Sequence, residues 1–167
     1  MKHGVKWILF IPLLFTMKVA GQSQSDIPDF RRAKVLKLNI LSPVVETITL
    51  AYENVLTPEK SLQLTVSFIM GAGGFVITPE FRYYISETPA PQGVYLAPFL
   101  RYYQLEGGGI LGGGLVLGKQ AIFKNKITVD GFFGPSVNTI DVIDENEVIF
   151  GLRAGVTIGI NLARTRK

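Results

Sequence analysis

Cysteine is absent from this 167-residue chain, and histidine occurs once, at His3. The first absence excludes disulfides, thiolate zinc sites and a lipid-modified cysteine behind a leader. The second removes the usual general base of serine and cysteine hydrolases, because His3 falls in a segment expected to be cleaved. Long apolar runs are lacking too. The stretch Trp7 to Met17 is eleven residues, against the roughly 20 that a membrane-spanning helix needs. No later window carries an apolar pattern at 3.6-residue spacing over three turns.

The N-terminus has the grammar of an export signal. Lys2 and Lys6 precede the apolar run, and the small residues Val19 and Gly21 precede the polar Gln22-Ser23-Gln24-Ser25. Cleavage is expected after Gly21. Residues 1–21 are thus read as a signal peptide, 22–33 as an N-terminal lead without pattern, and 34–167 as a single β-barrel domain. Cleavage takes away Lys2, Lys6 and Lys18, which lowers Lys+Arg from 17 to 14 against 13 acidic residues. A mature charge near +1 gives no reason to expect a nucleic-acid partner.

Alternation with period 2 recurs through the rest. It is clearest at Ser61 to Ile69, where Leu62, Leu64, Val66 and Phe68 oppose Ser61, Gln63, Thr65 and Ser67. Seven further segments repeat it, centred on Leu38, Leu50, Phe81, Leu100, Leu115, Val129 and Val156. Turn signals separate them: Ser42-Pro43, Thr57 to Lys60, Gly71 to Gly74, Thr88 to Gly93, Gly107 to Gly109, Lys124 to Lys126 and the acidic Asn138 to Glu147. Eight short strands with short connections predict an all-β fold, an eight-stranded antiparallel up-and-down barrel.

Alternation does not say which face is inside, but composition does. A water-exposed face is about 25–35% charged, whereas the polar parity here carries only Lys37, Glu53, Glu80, Arg82, Arg101, Asp130 and Arg153 among Gly, Ala, Ser, Thr and Tyr. That suits a polar lumen filled by side chains, in which the four cations pair with the three carboxylates. The opposite parity is Leu, Ile, Val, Phe and Tyr. Glu46 and Lys119 sit only at strand ends, and Tyr52, Phe68, Tyr83, Tyr102 and Phe150 stand where aromatic girdles form. A transmembrane barrel is the expectation. Pro79, Pro98 and Pro135 fall on this outward parity and mark candidate bulges.

The runs Lys37-Leu38-Asn39-Ile40-Leu41, Glu46 to Glu53, Ser61 to Leu64, Thr78-Pro79-Glu80-Phe81-Arg82-Tyr83-Tyr84 and Pro98-Phe99-Leu100-Arg101-Tyr102 resemble a family of small bacterial outer-membrane β-barrel domains of unknown function, with an eight-stranded OmpA/OmpX-like architecture. The resemblance covers about residues 34 to 162. It implies no catalytic residues. It places the chain in the cell outer membrane, with lipid, lipopolysaccharide and the barrel-insertion machinery as partners and the monomer as the expected state.

Other motifs carry less. Gly107 to Gly112 has the spacing of a dinucleotide fingerprint and Gly113 to Lys119 most of a phosphate loop, but no helix follows to present its N-terminus. The favoured reading is that these glycines leave room for bulky lumen neighbours. Asp141, Asp144, Glu145 and Glu147 could touch Ca²⁺ or Mg²⁺ at surface lipopolysaccharide but lack EF-hand spacing. A solvated acidic loop is the simpler account. Three functions stay open: a non-enzymatic envelope barrel with structural, surface-contact or adhesion roles; a soluble exported barrel around a small apolar ligand; and a barrel enzyme using Glu80 and Asp130. The first is favoured, with no cofactor, metal or catalytic residue.

Overall fold

A chain that alternates small polar with large apolar residues cannot bury both faces, and it satisfies its backbone by pairing each extended segment with the next. The computed structural model describes residues 33–162 apart from 72, 106–107, 125 and 143–144. The signal peptide and nearly all of the N-terminal lead lie outside them. Eight antiparallel strands form in chain order: β1 (Lys34–Asn39), β2 (Thr47–Thr57), β3 (Lys60–Ile69), β4 (Gly74–Tyr84), β5 (Gly93–Leu105), β6 (Gly108–Phe123), β7 (Ile127–Val142) and β8 (Glu145–Asn161). Each pairs with its successor, and β1 pairs with β8 to close the barrel.

The register gives the barrel its dimensions. Stepping across the partners Leu38, Leu50, Val66, Ile77, Tyr102, Leu111 and Thr139 arrives at Val148, whereas Leu38 itself is paired with Ile158. The offset is a shear of ten residues. With eight strands it sets a tilt of about 40° and a radius of about 8 Å, a lumen just wide enough for side chains.

Burial follows parity. Odd residues face the lumen on β1, β2, β3, β5 and β8, and even residues do so on β4, β6 and β7. Lys37, Glu53, Glu80, Arg82 and Asp130 are all at most 1% exposed, while outward apolar strand residues reach 81% exposed at Phe150. The fold is therefore polar inside and apolar outside.

Two expectations change. The acidic stretch Asn138 to Glu147 is not a loop for most of its length: β7 runs to Val142, β8 resumes at Glu145, and Asp141 pairs with Asn146. Polar composition imitates a turn there, yet cross-strand pairing continues without apolar alternation. The side chains of that tip are outside the description, so the candidate divalent-cation contact at Asp141, Asp144, Glu145 and Glu147 lies there too. The prolines are not bulges. Pro79, Pro98 and Pro135 keep their places opposite Leu64, Leu115 and Leu152, and the β4–β5 register is the same on either side, at Ile77 with Tyr102 and at Glu80 with Phe99. The register shifts instead between Val55 and Thr57.

We call the end where β1 begins and β8 finishes the base, and the opposite end the rim. The base is sealed by an apolar cluster that includes Ala33, Val55, Ala90, Tyr95 and Val116. The connection between β4 and β5 folds under it: the Ala90 N–H donates to the Pro58 carbonyl at 2.6 Å, and Pro91, after a cis peptide bond, is fully buried. Glycine makes room for this plug at two close approaches. A Cβ on Gly118 would overlap the Tyr95 ring, and one on Gly114 would press on the Phe99 ring.

Candidate functional site

Above the base, ionisable and amide side chains from all eight strands converge. Lys37 reaches the Glu53 carboxylate at 2.6 Å and Asp130 at 3.2 Å, and donates to the amide oxygens of Gln63 at 2.9 Å and Gln120 at 2.6 Å. Arg82 meets Glu80 at 2.6 Å through Nε and Asp130 at 2.8 Å through Nη1, with Glu53 farther off at 3.7 Å. Its guanidinium also lies over the Tyr95 ring, 4.2 Å from the centroid. Arg153 completes the set by binding the other oxygen of Glu80 at 2.5 Å.

Three cations thus face three carboxylates, and the group is neutral. Every carboxylate oxygen is engaged. Glu53 accepts from Ser61 and Tyr84 on one oxygen and from Gln120 and Lys37 on the other, while Asp130 accepts from the Tyr95 hydroxyl at 2.8 Å on the oxygen that Arg82 leaves free. Charges this far from water persist only when paired and hydrogen-bonded. Glu80 and Asp130, the candidate acid–base pair, are both tied to Arg82. Each of their four oxygens accepts at least one hydrogen bond from the network.

Six of the seven charges expected to pair join this network, and Arg101 does not. Among the described residues no carboxylate lies within salt-bridge distance of it. It donates to the Tyr103 hydroxyl at 2.7 Å and lies over the rings of Phe99 and Tyr103 at 5.2 and 5.5 Å. The reason is height. Arg101 stands on β5 two residues rimward of Phe99, above the level of the acids, and parity alone does not carry that information. Gln120, Gln63, Tyr84 and Tyr95 were not legible as members. Gln120 is the most instructive omission, since its oxygen accepts from both Lys37 and Arg82 while its nitrogen donates to Glu53. The even parity of β6, carried three residues further, identifies it.

The glycine motifs are strand. Gly108 opens β6 and Gly113 to Lys119 runs through its middle, with Lys119 turned outward. No helix N-terminus is there to meet a phosphate.

Rimward of the network the described side chains leave the lumen unfilled. A cavity of about 280 Å³ extends from Gln63 up to Thr47 and Ile69, the rim-end residues of β2 and β3. It departs from the expected packed interior because this level carries small side chains, Thr49, Thr65, Ser67, Thr78 and Thr157, where the level below carries long ones. Arg101 and Arg153 are its two charged walls. No family model, no curated protein and no solved structure matches the chain.

Proposed function

We propose that the chain is a non-enzymatic integral β-barrel of the bacterial outer membrane. On this reading it is exported by its leader, delivered by the barrel-insertion machinery, and resident as a monomer in lipid and lipopolysaccharide, with a structural, surface-contact or adhesion role. The architecture proposed for it is that of the small OmpA/OmpX-like barrel domains it resembles.

The observation that carries the reading is the outer face. Soluble monomers rarely expose apolar patches above a few hundred Å², yet here Leu, Ile, Val, Phe and Tyr face outward on all eight strands, as at Leu38, Leu50, Leu64, Leu100, Leu115 and Ile158. Ile48 to Leu56 on β2 spans about 27 Å of strand, or roughly 20 Å along the axis after the tilt, close to the height of a lipid-facing band. Exposed charge lies toward the ends: Lys34, Lys60, Lys124 and Lys126 ring the base, Lys119, four residues inside β6, faces Val94 beside the base end of β5, and Glu46 lies at the rim. Closure supports the same reading, because an open edge would leave backbone groups unsatisfied in hydrocarbon. A soluble barrel holding an apolar ligand needs the greasy parity inside, and the lumen is lined with charges, amides and hydroxyls.

Fractionation of expressing cells tests this. The protein is expected in the outer-membrane fraction, released only by detergent and migrating differently on gels before and after boiling. Release by osmotic shock without detergent would overturn it.

A further inference from the structure

We propose that the rim-side cavity is a binding site for a small organic monocarboxylate, with Arg101 as its anion anchor. The proposal does not depend on what surrounds the barrel, because it rests on the lumen alone. Charge balance comes first. Lys37, Arg82 and Arg153 are matched by Glu53, Glu80 and Asp130, which leaves Arg101 as the cation of the cavity wall without a carboxylate partner among the described residues. A single negative charge on a ligand neutralises that guanidinium. The guanidinium is also poised. Stacking on Phe99 and the bond from Nη1 to Tyr103 hold it in place, so little side-chain freedom is lost when a planar carboxylate meets the rest of its fork.

The walls favour an organic body over a bare inorganic ion. Val76, Ile69 and the Phe132 ring line the cavity together with a set of threonines. Thr157 is 4% exposed, and its hydroxyl oxygen has no partner within the protein. A buried hydroxyl of that kind is costly unless something satisfies it, and a ligand carboxylate or hydroxyl can do so. The volume of about 280 Å³ lies just under the usual range for ligand pockets of roughly 300–1,000 Å³, which limits the ligand to the size of a short or singly ringed acid.

Calorimetric titration of the folded, purified barrel at low ionic strength with acetate, lactate and benzoate tests the proposal. Benzyl alcohol, benzylamine and inorganic phosphate serve as comparison probes. One-site, saturable binding of at least one carboxylate is expected, tighter than any comparison probe. R101Q should weaken it at least tenfold, R101K should weaken it less than R101Q because it keeps the charge but not the planar fork, and T157V should weaken it several-fold. Unboiled gel migration and circular dichroism confirm that each variant is folded. The proposal fails if none of the three carboxylates binds saturably, if benzyl alcohol binds as well as benzoate, if phosphate binds more tightly than every carboxylate, or if folded R101Q binds like the parent.

Discussion

The base half and the rim half of one lumen are built on opposite rules. Toward the base, long side chains fill the space, cations equal anions, and every carboxylate oxygen is engaged. Toward the rim, short hydroxyl side chains leave a cavity, and one arginine lacks a carboxylate among the described residues. The same strands line both halves, so architecture is not the cause. Side-chain length along each inward row separates a part that holds the barrel together from a part with room for something else. Stability should therefore be concentrated below and tolerance above.

The sharpest way to break this contrast is at Arg82, which touches three carboxylates. R82M leaves Glu53, Glu80 and Asp130 with two cations between them. Removing one partner of a buried ion pair costs about 3–5 kcal/mol, and the variant should lose that much in urea unfolding, read by the gel shift on boiling. Loss below about 1 kcal/mol would mean that the network is not a structural one. Next in size is a change on the outside. Leu115, outward at mid-strand on β6, replaced by Arg should cost about 2–4 kcal/mol in lipid vesicles, whereas a water-facing site would tolerate it. Smaller again is G118V, which drives a side chain into Tyr95; overpacking of this kind costs about 1–3 kcal/mol and should be relieved in part by Y95A. At the bottom of the scale R101Q should shift unfolding by no more than about 0.5 kcal/mol, as substitutions away from tight networks do. A large loss there would erase the distinction between the halves.

Much of this was legible in the sequence. Parity alone separates Leu62, Leu64 and Val66 from Ser61, Gln63 and Thr65, and the sparse charge of the polar rows assigns them to the interior. What parity lacks is the coordinate along the axis. Arg101 and Arg153 share the lumen with Glu80, but the stagger of ten residues around the barrel decides that Arg153 reaches the acid and Arg101 stands above it. Gln120 was hidden by the glycine-rich run before it, which imitates a nucleotide motif while merely giving way to Phe99 and Tyr95. The hairpin tip between β7 and β8 was misjudged for another reason: its residues resemble a turn in composition, and their pairing is decided by the neighbouring strand rather than by their own propensity.

The wiring of the ion pairs also constrains the order in which the molecule can be made. Lys37 on β1 finds Asp130 on β7, and Arg153 on β8 finds Glu80 on β4, so these partners meet only when the first and last strands join. A sheet still open at that seam carries unmatched charge on the face it must turn inward. Closing the ring thus completes a neutralisation that Lys37 with Glu53 on β1 and β2, and Arg82 with Glu80 on β4, can begin in the open sheet.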